Sequence, residues 1–177
     1  RCCKSCATKV FTCRCRRPNI QLQTSHRAQS INMAEFWQTK TLEQMSTQEW
    51  ELLCDGCAKC CLVKLEDHES GEIYHTNVTC ELLDTQSCQC IDYAGRHNVV
   101  DDCIKLDREN IHSLAWLPKS CSYRLIAAGQ QLPEWHHLVS GSKETLHSYG
   151  ASLQGRVISE LHVHDEDIED HIVQWVD

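Results

Sequence analysis

Four cysteines fall within eight residues, Cys54-Asp-Gly-Cys57-Ala-Lys-Cys60-Cys61. A chain with this run must place four sulfurs on one short loop. A C-x-x-C step turns two thiolates toward one point. Gly56 suits that turn and leaves backbone N–H groups to face sulfur. A third step, C-x-x-C-x-x-C, sets three ligands on one loop, the local pattern of iron–sulfur clusters and one that zinc can also use. The full ferredoxin run is not met, because Lys64 stands where its next cysteine would be. A fourth ligand therefore comes from Cys61 or from farther along, among Cys80, Cys88, Cys90, Cys103 and Cys121. Cys88, Cys90, Cys103 and Cys121 are numerically enough for a second four-ligand site.

Disulfides are the competing use of so many cysteines. Nine follow residue 33, an odd count, and Cys60 and Cys61 are adjacent, which disfavours pairing with each other. No apolar stretch of a secretory signal precedes them. Metal ligation is the better reading, with Cys54, Cys57, Cys60, Cys61, Cys80, Cys88, Cys90 and Cys103 as candidate ligands. Cys121 falls on an expected helix among apolar residues and reads as core. The cofactor is an iron–sulfur cluster or Zn²⁺. The balance tips toward iron, because mononuclear zinc prefers two separated C-x-x-C pairs.

Charge divides the chain. Residues 1–32 hold seven Lys and Arg, five cysteines and no Asp or Glu. From residue 33 onward ten basic residues face all 25 acids, a balance of −15. Residues 1–32 read as a basic, cysteine-rich leader before a natural start at Met33; a transit peptide or a nucleic-acid arm is the alternative. Residues 33–177 read as one domain. Their acidity makes a nucleic-acid partner unexpected. No run approaches the roughly 18 apolar residues of a membrane helix.

The expected fold is α+β: a small, loop-rich domain of short helices and short antiparallel strands, stapled by metal. Ser46 to Glu49 fits a capping box, with Met45 and Trp50 placed as a hydrophobic staple. Residues 62–71 read as a short helical continuation ending in an acidic turn. Strands are expected over 72–79, 101–106 and 155–161, and a hairpin through the turn at 84–87. Asp107 caps a turn through Asn110. A helix is expected over 120–128 with Gly129 at its C′ position. Another runs over 166–176, with Ile168, Ile172 and Trp175 as its buried stripe.

The histidines are weaker candidates. His162 and His164 share one face of an expected strand, with His171 nearby, but solvated or core histidines are commoner than ligands. His136 and His137 point oppositely in extended chain and could supply one ligand at most. The sequence has no G-x-S-x-G, P-loop, G-x-G-x-x-G or H-E-x-x-H motif. The acidic run 165–170 reads as a solvated helix face. No catalytic residue is assigned, and whether the chain is an enzyme stays open.

The residues nevertheless resemble a family. EWELLCDGCAKCC at 49–61 is similar to the bacterial YcgN-type proteins, which are akin to YkgJ-like zinc- or iron-chelating domains. IYHTNVTC at 73–80, CQC with Asp92-Tyr93, DCIKL at 102–106, WLP at 116–118, CSYRL at 121–125, LPEWH at 132–136, SGS at 140–142 and EDHI at 169–172 extend the likeness over about residues 35–177. His137 stands where such proteins usually have proline, and Ala58 where they often have glycine. The resemblance implies metal chelation without an assigned reaction, in a bacterial cytoplasm that keeps thiols reduced. The function it implies is a binding module such as a carrier, sensor or adaptor, with room for an unknown protein partner. The alternative is an iron–sulfur redox component or an accessory of a modification enzyme.

Overall fold

The computed structural model describes residues 35–176. The leader at 1–32 and the start at Met33 lie outside the described residues.

The first helices form through their caps. After α1 (Phe36–Thr39) and a 3-10 turn at Leu42–Gln44, α2 (Thr47–Leu52) opens with the expected capping box. Glu49 N–H donates to Ser46 Oγ at 3.2 Å, and Ser46 N–H donates to Glu49 Oε2 at 2.8 Å. Lys40 Nζ donates to the other Glu49 oxygen at 2.6 Å. Met45 and Trp50 are buried in one cluster with Phe36, Leu42, Leu53, Ile111, Leu117 and Tyr123. That cluster holds the helical half of the domain against residues far along the chain.

Strand β1 (Leu62–Glu66) stands where the sequence suggests helix. Pairing decides the matter. β2 (Ile73–Thr79) folds back antiparallel on it, with Leu62 opposite Thr79, Lys64 opposite His75 and Glu66 opposite Ile73. The connecting turn is closed by Asp67, whose Oδ1 accepts from the N–H groups of Glu69 and Ser70. Strands β3 (Leu83–Asp84) and β4 (Gln89–Cys90) make the expected hairpin. The expected strand at 155–161 contracts to β5 (Ile158–Ser159), which pairs parallel with β2 beside Val78 and Thr79. The sheet order is β1-β2-β5.

Residues 101–106 form turn and coil rather than a strand and take part in neither sheet. Asp107 does cap a turn, accepting from the N–H groups of Glu109 and Asn110. Helix α3 (Ser122–Ala127) ends at Gly129, whose φ of +67° is the left-handed C′ conformation. Two short helices follow, α4 (His137–Ser140) and α5 (Glu144–Ser148). The expected last α-helix is a 3-10 run at Asp165–His171. Asp165 with Glu169, and Glu166 with Asp170, would stack like charges one α-turn apart, which disfavours the α form. Ile168 and Trp175 are half-buried, and Ile172 is exposed.

A second cluster gathers Ala58, Leu62, Leu83, Cys88 and Leu153, with Val157, Trp175 and Val176 against it. Leu53 belongs to the first core and Ala58 to the second. The cysteine loop is therefore the bridge between the two. The domain is a small α+β fold of short elements.

Candidate metal centre

The loop begins at a helix end held by two buried side chains. At the end of α2 the N–H groups of Leu53 and Cys54 close on the carbonyls of Trp50 and Glu51 at 3.0 and 3.3 Å. Tyr123 Oη donates to Trp50 C=O at 3.1 Å, with the two rings 4.6 Å apart. His136 Nε2 lies 3.1 Å from Leu53 C=O, while its Nδ1 accepts from Leu138 N–H at 3.1 Å. An accepting Nδ1 leaves the proton on Nε2, so this ring is fixed as one neutral tautomer. Cys54 follows at once.

The turn itself is shaped by Asp55 and two left-handed residues. Asp55 Oδ1 accepts from Cys57 N–H at 2.9 Å. Gly56 has φ +79° and Ala58 φ +64°. Ala58 adopts there the conformation that glycine takes more freely. A 3-10 turn at Lys59–Cys61 completes the loop, and Leu153 N–H donates to Cys57 C=O at 3.2 Å, tying it to the second core.

Nearby backbone amides favour several of the thiolates. The N–H of Gly56 favours the Cys54 thiolate and that of Lys59 the Cys57 thiolate. Leu82 N–H donates to Cys80 Sγ at 3.4 Å. Cys121 precedes α3, and the amides of Arg124 and Tyr123 favour its thiolate, although its sulfur closes no formal capping bond. Such amides are what an anionic sulfur requires.

The charges sort the thiols into groups. Desolvation first, then Asp55, then Cys60 pushes the Cys54 thiol up to about 12, with Cys121 adding to it. Cys54 keeps solvent contact on one side, so an ion can reach it. Cys57 is raised well up by desolvation, Asp55, Cys60 and Cys54. Cys60 is raised first by its contact with Cys61, Sγ to Sγ 3.9 Å, and Lys64 opposes the rise. Cys121 is raised by desolvation, with Asp55 and Cys60 adding. Asp55 adds to the rise at Cys54, Cys57, Cys60 and Cys121, and its Oδ2 is buried without a hydrogen-bond partner.

A second set lies across the sheet. Cys80 N–H donates to Cys61 C=O at 3.0 Å. Cys90 is opposite Leu83, three residues past Cys80. The Cys80 thiol is raised by desolvation and then by the charges of Glu160, Cys103 and Cys90. Lys64 feels Cys60, Cys61 and Asp102, next to Cys103.

Cys88 stands apart. It is buried in the second core, at φ +56° in the hairpin turn. Desolvation raises its thiol, against the Leu153 and Gln154 amides and the Ser152 hydroxyl. Cys121 packs against the first core as the sequence suggests, but it also faces the cysteine loop. Its place as the residue before a helix, two and three residues ahead of inward-facing amides, was the available signal. All nine cysteines among the described residues are free thiols. His162 and His164 are exposed and not on a strand, and His171 Nδ1 is 2.8 Å from Asn77 Oδ1. In the present side-chain positions, no group of three or more His, Cys, Asp or Glu among the described residues is arranged to hold a metal ion.

Residues 53–122, which run from just before Cys54 to just after Cys121, match the family model CxxCxxCC, described as "Putative zinc- or iron-chelating domain". The chain is 58% identical over 141 residues to a UPF0260 protein of Rhodopseudomonas palustris strain BisB18, covering 79% of this chain and 83% of that one. It is 51% identical over 146 residues to the UPF0260 protein Atu0932 of Agrobacterium fabrum, covering 82% and 90%. With a UPF0260 protein of Shewanella oneidensis the identity is 54%, covering 79% and 94%. No solved structure matches.

Proposed function

The chain belongs to the UPF0260 family, and on that premise we propose a thiolate metal-binding protein with two four-cysteine groups. Cys54, Cys57, Cys60 and Cys121 form one. Cys61, Cys80, Cys90 and Cys103 form the other, and Cys88 is a core thiol outside both. The observation that carries this reading is the four-sulfur loop at 54–61, joined to Cys80 across the sheet by the Cys80 N–H to Cys61 C=O bond, with the Leu82 N–H donating to Cys80 Sγ at 3.4 Å.

The Cys54 and Cys57 thiols are raised by desolvation, then by Asp55 and by Cys60. A metal that binds must displace the thiol protons, so its affinity depends on pH. Lys64, with Nζ on the carbonyls of Cys60 (3.0 Å) and Leu62 (2.6 Å), offsets negative charge between the two groups. An iron–sulfur cluster would supply electron transfer there, whereas zinc would supply closure of the fold. Three ligands on one loop favour iron. Free thiols in this number suit a reducing cytoplasm, and a carrier, sensor or redox accessory role follows from either metal.

The test is anaerobic purification of the full chain, with a visible spectrum and metal and sulfide analysis on one sample. Broad absorption near roughly 400 nm with acid-labile sulfide is the expected result. Colourless protein with stoichiometric zinc would replace iron by zinc and keep the thiolate reading. Protein without bound metal would overturn it.

A further inference from the structure

Cys60 and Cys61 are neighbours in the chain, and their sulfurs lie 3.9 Å apart. In extended backbone, neighbouring side chains point to opposite faces and two such sulfurs would diverge. Here the 3-10 turn at Lys59–Cys61 intervenes just before β1, with Cys61 N–H donating to Ala58 C=O at 2.8 Å. Both sulfurs therefore stay on one side of the chain. Cys60 is exposed and Cys61 half-buried, so a small oxidant in solvent can reach the pair. The Lys64 ammonium group is held close by, on the carbonyls of Cys60 and Leu62 at 3.0 and 2.6 Å.

We propose that hydrogen peroxide oxidises this pair to a vicinal disulfide, which small thiols reduce again. The Cys60 sulfur attacks one peroxide oxygen. The O–O bond breaks, a sulfenic acid forms on Cys60, and hydroxide leaves as water with the Cys60 thiol proton. The Cys61 sulfur then attacks the Cys60 sulfur. The S–S bond forms, the S–O bond breaks, and the hydroxyl leaves as water with the Cys61 proton. The two thiols have then given two electrons to the peroxide, and two waters have left.

Adjacency makes this bond a reversible one. Neighbouring Cα atoms stand about 3.8 Å apart, short of the roughly 4.4–6.8 Å that disulfides usually span. A bond made under that strain is easily reduced, as regulatory disulfides are and structural ones are not. The Cys60 thiol is raised first by its contact with Cys61, and Lys64 opposes the rise. Oxidation is accordingly slower than at an activated thiolate.

The consequence for metal rests on the grouping proposed above. Cys60 belongs there to one group and Cys61 to the other. A single disulfide removes one thiolate from each, and thiolate is the form of sulfur that ligates. Both groups then weaken together.

Trypsin cuts after Lys59 and Lys64, so both sulfurs leave in one peptide, residues 60–64, which has no other cysteine. The full chain, purified anaerobically, is treated with hydrogen peroxide, alkylated, digested and weighed, while a chelating dye reads free metal in the same sample. Peptide 60–64 should lose two hydrogens and take no alkyl group. Dithiothreitol before alkylation should restore both labels, and metal release should rise in step with the disulfide. Cys88→Ser should behave like the parent, whereas Cys61→Ser, with no second sulfur, should pass on to sulfinic acid that dithiothreitol does not recover. A disulfide formed in a chain that carries no metal would refute the metal reading and support this site. Metal released while both cysteines still take alkyl groups would overturn this site and leave the thiolate reading standing. Peptide 60–64 joined to a different cysteine peptide, or gaining oxygen without a disulfide, would overturn it equally.

Discussion

Replacing Cys121 by serine separates the fold's grouping of the thiols from the one that sequence spacing suggests. Desolvation raises the Cys121 thiol, the amides of Arg124 and Tyr123 oppose the rise, and Asp55 and Cys60 add to it. Structural zinc in small domains contributes about 10–16 kcal/mol over four ligands. An even share per thiolate is about 3 kcal/mol, or roughly 100-fold in affinity. Serine is a poor replacement, because its hydroxyl stays protonated near neutral pH and is a harder donor. Cys88→Ser is the matched control. Cys88 is 4% exposed in the second core. Serine can still accept from the amides there, so its cost is that of a hydroxyl in an apolar site, about 1–3 kcal/mol of stability, with no loss of metal. Both variants are titrated against a chromophoric chelator and melted on the same day. Cys121→Ser should release metal at about 100-fold lower chelator strength, and Cys88→Ser should melt earlier while retaining metal. The reverse pattern would refute the grouping and restore Cys88 as a ligand.

Three further outcomes follow from the frame around the loop. Ser46→Ala removes the acceptor for Glu49 N–H and costs about 1 kcal/mol of unfolding free energy, read by urea denaturation. Ala58→Val puts a β-branched side chain at φ +64°; it costs about 2 kcal/mol or more, and unchanged stability would show that the loop is not held left-handed. His136 has its pKa lowered by desolvation, so the unfolded chain takes up its proton first as pH falls. Its stabilising contribution is present above the ordinary value of 6.5 and is lost below it. Melting temperature measured from pH 7.5 to 5 should therefore fall, and fall less in His136→Gln; an identical slope in both proteins would exclude His136 as a source.

What the sequence makes legible here is local. The Ser46–Glu49 capping box, the β2 strand, the β3–β4 hairpin and the glycine after α3 each depend on contacts within a few residues. Strand β1 was hidden because Leu62-Val63-Lys64-Leu65 is apolar in a way that fits helix or strand, and only its partner decides. The 3-10 run at Asp165–His171 was hidden by an apolar spacing that suits an α-helix but that its stacked carboxylates oppose. In the site, the cysteine run announces the chemistry, while the neighbours of each sulfur depend on chain reversal. Cys80 is brought to Cys61 by the β1–β2 pairing, its N–H donating to Cys61 C=O, and Cys121 is brought toward the loop by α3, which Tyr123 anchors to Trp50 C=O. Neither placement is a spacing in the sequence.

X-ray absorption at the edge of the metal that co-purifies with the intact chain tests the central claim most directly. Thiolate groups of four predict a first shell of sulfur alone, at about 2.3 Å for zinc or with a second iron shell behind it for a cluster. A first shell dominated by nitrogen or oxygen would contradict the account.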